Sequence, residues 1–281
     1  KLYTLNPDYI SCTYGAGGTN VGKNLEVLKK IKADGKCTPV THFTCVANTK
    51  EGIKDQLQTY LDNGIDHMLA LRGDIPFGWT GTNGDLHYAT ELVKFVRKEF
   101  GDKFTIAVAG SPEGHIACRS LEADISFLKQ KQDEGADYIM TQLCWDMDQF
   151  RYWMDAIRAA GIWLPVDVGI MSVLNVAATI NMALSRNGCV MSRDLCEIIS
   201  KNWIFPNPFS VGLKTAKGDE ACFDADVEGK KASFKAAGIE YTINQIDEYR
   251  ACGVDGIHLY ALNKYEDVAY IAKEAGLIDL V

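Results

Sequence analysis

The sequence lacks several features that would assign it to a broad class. No apolar run approaches the roughly 18 residues that a membrane-spanning helix needs, so we expect no membrane span. The N-terminal residues do not show the charged-then-apolar pattern of a signal peptide. Basic residues are outnumbered, 29 against 37 acidic ones, giving a net charge of −8. Because nucleic-acid binding draws on clustered Lys and Arg, we expect no nucleic-acid partner.

Paired cysteines and clustered histidines are also missing. The nine cysteines form no Cys-x-x-Cys pair. Five of them lie in or beside apolar segments: Cys12, Cys45, Cys118, Cys144 and Cys189. This pattern is typical of reduced, mostly buried thiols and predicts a cytoplasmic protein. The five histidines show no helical i,i+4 ligand spacing, so the sequence favours a lone hydrogen-bonding His42 over a metal site.

What the sequence does contain is a regular alternation of short apolar strands with amphipathic helices. Glycine occupies the turns from helix to strand at Gly64, Gly135, Gly161 and Gly253. Such alternation predicts a parallel sheet covered by helices. The seven predicted strands span residues 9–13, 39–44, 67–71, 104–109, 138–142, 165–170 and 256–260.

Two architectures fit this pattern, an open doubly wound sheet and a closed (β/α)₈ barrel. The barrel is favoured because polar residues recur where nearly every strand ends, whereas an open sheet concentrates its site at one switch point. The length of 281 residues also suits one barrel of about 250 residues. The strand-end residues are Thr13, His42, Thr44, Arg72, Asp74, His115, Gln142 and Asn263.

We therefore predict one domain, residues 1–281. Residues 187–238 interrupt the alternation with a helix near 194–201, a proline-bearing stretch and a charged stretch. We interpret this segment as an insertion after the sixth visible strand, which would be the seventh strand of the barrel.

The segment Ala70-Leu71-Arg72-Gly73-Asp74-Ile75-Pro76 is the strongest candidate site. It follows a buried strand and leads into a polar, glycine-rich loop. At the carboxyl end of a barrel strand, Arg72 and the backbone could hold a ligand while Asp74 places a charge near the reacting centre. The alternative is a salt-bridged turn.

Three other segments allow a functional and a purely structural interpretation. The loop 14–18 fits Gly-x-Gly, but Asn20 stands where a dinucleotide fingerprint has its third glycine, leaving a plain βα turn or a phosphate contact. Asp124 and Lys131, two helical turns apart, could line a polar ligand tail or face solvent. Gln142 could pair with an amide or pterin edge, or be a satisfied strand-end residue.

Several of these motifs, taken in order, resemble the methylenetetrahydrofolate reductase family over nearly the whole chain. The Leu-Arg-Gly-Asp-Ile-Pro element is the most specific of them. The motifs span residues 10–16, 42–45, 70–76, 112–115, 141–142 and 260–263.

The resemblance implies a flavoprotein with a (β/α)₈ barrel that reduces 5,10-methylenetetrahydrofolate by hydride transfer from flavin N5. Asp74 would lie between flavin and folate as a catalytic residue, and Gln142 and Lys264 would contact the folate. The cofactor would be FAD, and the electron donor NAD(P)H or a redox partner protein. By similarity, the flavin-binding positions are Thr13, His42, Arg72, Gly73, Asp74, Tyr88, Ala89, His115, Asp124 and Lys131.

The sequence also departs from the family pattern. Ser111 stands where the family often has Tyr, and Phe127 and Gln130 replace polar or basic residues near the cofactor's far end, which keeps FMN open. The family's general-acid Glu, on the first barrel strand, is not in this chain. We therefore expect one βα unit, roughly 30 to 40 residues, upstream of Lys1.

Two other functions stay open from sequence. One is a flavin- or folate-binding barrel subunit that depends on a partner chain for electrons or catalysis. Whether the chain is this subunit or the reductase itself, we expect an oligomer or complex. The other is a barrel lyase or aldolase, which usually needs a strand-end Schiff-base Lys or a metal cluster. No strand-end Lys appears before Lys264.

Overall fold

A computed structural model describes residues 1–13, 21–185, 189–203, 226–262 and 264–278. Within these ranges, seven strands alternate with α-helices. The strands are β1 (Tyr9–Cys12), β2 (Thr38–Thr44), β3 (His67–Leu71), β4 (Thr105–Gly110), β5 (Tyr138–Thr141), β6 (Val166–Met171) and β7 (Gly256–Tyr260). The helices are α1 (Val21–Asp34), α2 (Lys50–Asp62), α3 (Ala89–Phe100), α4 (Leu121–Asp133), α5 (Met147–Ala159), α6 (Val176–Leu184), α7 (Arg193–Lys201), α8 (Val227–Ala251) and α9 (Tyr265–Glu274).

The seven strands form one parallel sheet in sequence order, from β1 at one edge to β7 at the other. Successive side chains point to opposite faces. On β3, for example, Met68 and Ala70 pack under the helices, while Leu69 lies inside the curved sheet with Ala107 and Met140. The arrangement is that of a (β/α)₈ barrel with seven strands described, which confirms the predicted fold class.

The layer between sheet and helices is the main apolar core. Its largest side chains are aromatic: Phe150 packs edge-to-face on Tyr249 at 4.6 Å between ring centroids and lies 5.8 Å from Trp153. All three side chains are fully buried. Trp153 also packs over Gly110, where an added Cβ would lie 3.0 Å from Trp153 Cζ2 and 2.6 Å from Ile139 Cγ2. A side chain at the end of β4 would therefore clash with Ile139 on β5 and with Trp153 on α5.

The turns from helix to strand follow the prediction. Gly64, Gly135, Gly161 and Gly253 all have positive φ, between 71° and 104°, a region that glycine enters without strain. Two helices begin later than predicted. Helix α4 starts at Leu121, not near residue 118, because the Ser120 side chain accepts a hydrogen bond from Ala123 N. Helix α3 starts at Ala89, not at residue 86, after an extended Tyr88.

The segment predicted as an insertion has a small apolar core of its own. Leu195 and Ile199 of α7 and Phe234 of α8 pack with Trp145 and Val173 beyond the ends of β5 and β6. Residues 227–238 are the first half of α8, a continuous 25-residue helix that also packs against β6. The proline-bearing stretch lies outside the described residues, so the insertion and the single-domain boundary stay predictions. None of the described helices is long and apolar enough to cross a bilayer.

Candidate functional site

A cavity of about 1900 Å³ lies within the curved sheet and extends to its open side between β1 and β7. Eleven of the twelve predicted site residues line it. They are Thr13, His42, Arg72, Gly73, Asp74, Tyr88, Ala89, His115, Asp124, Lys131 and Gln142. Lys264 is the exception, since it is exposed where α9 begins and does not line the cavity wall. The glycine-rich loop 14–18 and Asn263 lie outside the described residues.

The end of β3 presents a cation and an anion that do not pair with each other. Cys45 N donates to Leu71 O at 3.2 Å and to Arg72 O at 3.1 Å, which fixes the backbone where the strand ends. Gly73 then turns the chain with a φ of 87°. Arg72 Nε donates to Gly73 O at 3.2 Å, and no carboxylate of the described residues lies within ion-pair distance of Arg72. Asp74 is exposed at the rim. Within the part of the chain that the structure describes, both charges are thus free to meet a ligand.

The wall beside Arg72 comes from the loop after β4 and from α4. Lys131 Nζ donates to Ala109 O at 2.8 Å, and burial lowers the pKa of this ammonium. Burial raises the pKa of Asp124, against the opposing effect of Lys131 and His115. Burial and the nearby Arg72 charge both lower the pKa of His115. A buried lysine held by one carbonyl can bind a ligand anion without first breaking an ion pair.

Two neutral polar side chains face the cavity from β2 and β5. Burial lowers the pKa of His42 to about 4, so its imidazole is neutral at physiological pH. His42 Nε2 is shielded from solvent and has no partner among the described residues. Gln142 lies just after β5, where its Oε1 accepts a hydrogen bond from Leu143 N at 2.9 Å. The His42 Nε2 and the Gln142 NH₂ are therefore the hydrogen-bonding groups left for a ligand here.

Below these residues lies a polar cluster that the sequence analysis missed. Tyr9 OH makes a short hydrogen bond to Asp167 Oδ2 and lies 2.7 Å from His258 Nδ1. The other ring nitrogen, His258 Nε2, lies 3.3 Å from Ser11 Oγ. Burial raises the pKa of Asp167 to about 6 and lowers that of His258 to about 4. The available signal was Asp167, the one charged residue in an otherwise apolar strand.

Glu113 links the loop after β4 to the chain before α7. Its two carboxylate oxygens accept from Val190 N at 3.0 and 3.1 Å. Burial is the main cause that raises the pKa of Glu113 to about 7. The carboxyl group therefore holds its proton more tightly in the folded chain than in the unfolded chain, and folding stability falls as pH rises from about 4.5 to about 7.

The predicted fall of stability with rising pH can be tested with the substitution Glu113→Gln. The amide keeps an oxygen for Val190 N but carries no charge. At pH 8 we therefore expect the free energy of unfolding of the variant to exceed that of wild type by about 1 to 2 kcal/mol, after allowance for solvent screening. At pH 5 the two proteins should be nearly equal. Urea unfolding at both pH values measures this, with Glu26→Gln on the exposed face of α1 as the control. A difference between Glu113→Gln and wild type that does not change with pH would contradict the assignment.

Comparisons with known proteins identify the chain's relatives. Residues 1–197 match the family model described as methylenetetrahydrofolate reductase. The chain is 31% identical over 278 residues to methylenetetrahydrofolate reductase 1 of Schizosaccharomyces pombe, covering 97% of this chain and 41% of that protein. It is 30% identical to the 5,10-methylenetetrahydrofolate reductase of Pectobacterium carotovorum, covering 95% of this chain and 79% of that protein.

The chain spans less than half the length of the fungal and plant relatives that it matches. It covers 41% of the Schizosaccharomyces pombe protein and 45% of methylenetetrahydrofolate reductase (NADH) 1 of Arabidopsis thaliana. Among solved structures, an uncharacterized protein from Clostridium thermocellum that binds two copies of 5-methyl-5,6,7,8-tetrahydrofolic acid superimposes with a TM-score of 0.58. The match covers 98% of this chain and 85% of that one at 11% identity, and so shows a likeness of fold. By the family model and the bacterial relative together, the chain belongs to the methylenetetrahydrofolate reductase family.

Proposed function

We propose that this protein reduces 5,10-methylenetetrahydrofolate to 5-methyltetrahydrofolate with a bound flavin. The observation that carries the proposal is the convergence on one cavity of eleven residues that the family resemblance assigns to flavin or folate. A bound flavin would supply the hydride from its N5. The chain's own residues would hold the two ligands, exclude water and stabilise the charge that develops on the folate.

The cavity suits a flavin and a folate together. Its volume of about 1900 Å³ exceeds the roughly 300 to 1000 Å³ of a typical single-ligand pocket. Arg72 and the buried Lys131 offer positive charge for an anionic cofactor tail, and the backbone at Tyr88 and Ala89, where α3 begins, can bind phosphate oxygens. The His42 Nε2, which has no partner among the described residues, offers one further hydrogen bond to the cofactor. Thr13, Gly73, His115 and Asp124 complete the proposed flavin site.

The folate would contact other side chains of the same cavity, chiefly Asp74 and Gln142. Opening the five-membered ring of the substrate requires protonation at its N10, after which hydride arrives at the methylene carbon. The Asp74 carboxylate, which is not paired with Arg72, can stabilise the positive charge that develops there. The Gln142 side chain can pair with the pterin edge. Lys264, exposed beyond the cavity wall, is then a contact for the anionic outer end of the folate.

For the cofactor we propose FAD, and for the electron donor NAD(P)H. The relatives from Arabidopsis and rice are named NADH-type enzymes, which supports a nicotinamide donor. Phe127 and Gln130 lie along α4 on the cavity wall, and the Phe127 side chain is 49% exposed. An exposed ring at this position can stack on the adenine of FAD. The free thiols of the described cysteines fit a cytoplasmic location.

The bound cofactor tests this proposal first. The purified protein, incubated with FAD or FMN and passed over a desalting column, should retain about one FAD per chain with a flavin absorption spectrum. Retention of FMN alone would replace FAD in the proposal. A folded protein that retains neither flavin would overturn it.

A substitution of Lys131 tests which residues hold the cofactor. Lys131→Met keeps most of the side-chain volume and removes the buried charge, so we expect flavin affinity to fall at least about tenfold. Lys129→Met is the matched control, because Lys129 is on the same helix and pairs with Asp133 instead. Titration of flavin fluorescence measures both. Equal affinity in the two variants would remove Lys131 from the flavin site.

A further inference from the structure

The loop between β4 and α4 forms one side of the cavity. Glu113 belongs to this loop but does not line the cavity, and its half-buried carboxylate accepts instead from Val190 N, ahead of α7. Val190 lies in the segment 187–238 that the sequence predicts as an insertion. That segment therefore reaches the loop from outside the cavity. The residues of the loop that do line the cavity are Ser111, His115, Ile116, Ala117 and Cys118.

Hydrogen bonds within the loop fix its shape. Gly114 N donates to Ser111 O at 2.9 Å, and Cys118 N donates to His115 O at 2.7 Å, so two tight turns follow each other. Ala117 N donates to His115 Nδ1 at 3.1 Å, which orients the imidazole. These contacts would move with the loop as a unit. They do not determine where the loop lies relative to the rest of the cavity.

Contacts with other elements determine that position. Gln149 Nε2 of α5 donates to Pro112 O at 2.7 Å. The Asp124 carboxylate on α4 accepts a hydrogen bond from the His115 backbone. The Glu113 carboxylate reaches furthest along the chain, since Val190 is 77 residues away. Glu113 is thus the side chain that joins the loop to the chain before α7.

The chain around Val190 is itself held in place. Cys189 is buried in the small apolar core that includes α7 and α8. Ser192 caps α7 and its Oγ lies 2.8 Å from Tyr241 OH on α8. Tyr241 OH in turn donates to Trp145 O, after β5, at 3.0 Å. Val190 N is therefore a donor in a fixed position, to which the loop is attached.

We propose that Glu113 is a positioning residue of the cavity. Its hydrogen bond from Val190 N holds the loop after β4 where His115 lies beside Arg72. The inference rests on the proposed function, because His115 is one of the residues assigned to the flavin. It also gives the segment predicted as an insertion a role, which is to support the cavity wall from outside.

The pKa of His115 reports where its imidazole lies. Burial and the charges of Arg72 and Lys131 lower this pKa, whereas the carboxylates of Asp124 and Asp74 raise it, and the balance is a lowered value. These charged groups come from the end of β3 and from α4. A loop that moves away from them takes His115 out of its partly buried position and away from Arg72. The pKa of His115 should then return toward its ordinary value of about 6.5.

The position of the loop also affects the affinity for flavin. A ligand that binds one position of a loop has its apparent affinity reduced by the fraction of molecules in that position. Removal of a hydrogen bond to a carboxylate changes such an equilibrium by about tenfold or more. Loss of the contact between Glu113 and Val190 N should therefore weaken flavin binding, although Glu113 does not line the cavity.

Two substitutions of Glu113 separate its hydrogen bond from its charge. Glu113→Gln keeps an oxygen that accepts from Val190 N, whereas Glu113→Met has a similar volume and no such acceptor. Both side chains are uncharged, so a difference between the two variants reports the hydrogen bond alone. Glu113→Ala gives the same comparison with Glu113→Gln if the methionine variant does not fold.

The first readout needs no ligand. In protein labelled with ¹⁵N-histidine, with the His115 signal assigned by His115→Gln, the wild-type pKa of His115 should lie below its ordinary value. Glu113→Gln should keep that lowered pKa. Glu113→Met should raise it toward about 6.5.

Flavin affinity, from titration of flavin fluorescence, is the second readout. Glu113→Met should bind flavin about tenfold more weakly than wild type, and Glu113→Gln should bind it as wild type does. Glu26→Ala, on the exposed face of α1, is the control and should also bind as wild type.

Two outcomes would overturn the inference. One is a Glu113→Met protein with the wild-type His115 pKa or the wild-type flavin affinity, and the other is a Glu113→Gln protein that behaves as Glu113→Met does. Wild-type protein that binds neither FAD nor FMN would instead overturn the proposed function. In that case the His115 pKa would still decide whether Glu113 positions the loop.

Discussion

Asp74→Asn should slow the oxidation of reduced flavin by methylene-folate about 100-fold while changing flavin affinity little. The carboxylate lies at the rim of the cavity with no ion pair to Arg72. Its negative charge is therefore available to stabilise the positive charge that develops on the substrate. Loss of one such electrostatic contact typically costs about 100-fold or more in rate. The amide has the same shape, so the cofactor site should stay intact.

Rapid-mixing absorbance measurements give this rate separately from the reduction of the flavin. Asp66→Asn is the matched control, because Asp66 precedes the same strand at its opposite end and lies outside the cavity wall. We expect this control to react at the wild-type rate. If Asp74→Asn does so as well, Asp74 has no catalytic role. If Asp74→Asn instead loses flavin and folate reactivity together, it is a cofactor ligand only.

Trp153→Ala should destabilise the fold by about 3 to 5 kcal/mol. The Trp153 side chain is fully buried, packs with Phe150 and covers Gly110 at the end of β4. Its removal leaves a cavity directly under the strand that leads to His115. The indole Nε1 has no partner among the described residues, so the cost comes from lost packing and not from a lost hydrogen bond.

Thermal and urea unfolding of the variant measure the cost. The chain contains its own control in Trp163, which is 72% exposed. Trp163→Ala makes the same chemical change at the surface and should alter stability by no more than about 0.5 kcal/mol. A Trp153→Ala protein as stable as Trp163→Ala would show that the layer between α5 and β4 does not hold the fold together.

Local patterns were enough to predict the strands and part of the cavity wall. Strands β3 and β7 begin and end at the predicted residues, because each is a short, mostly apolar run bounded by turn residues. Polar residues that follow such strands converge in a parallel barrel, so the strand prediction brought Thr13, His42, Thr44, Arg72, Asp74, His115 and Gln142 to one cavity. The other cavity residues, such as Tyr88 and Ala89, came from the family resemblance. Helix starts were less predictable, since the start of α4 is set by the Ser120 cap and not by the apolar pattern.

The polar cluster of Tyr9, Asp167, His258 and Ser11 could not be predicted, because it depends on contacts between distant parts of the chain. Tyr9 and Asp167 are 158 residues apart, and Tyr9 and His258 are 249 apart. Which of these side chains meet is decided by the register of the strands and the curvature of the sheet. Lys264 shows a second limit of prediction from sequence. Its position matches the family's order of motifs, but the structure does not place it on the cavity wall.

The reaction of the reduced flavoprotein with the folate tests the central claim most directly. The protein, loaded with flavin, reduced and mixed with 5,10-methylenetetrahydrofolate without oxygen, should regain the spectrum of oxidised flavin. It should form one 5-methyltetrahydrofolate for each flavin oxidised. A folded protein that binds flavin and folate but stays reduced would contradict the claim, and would assign the chain to a binding subunit whose chemistry depends on a partner.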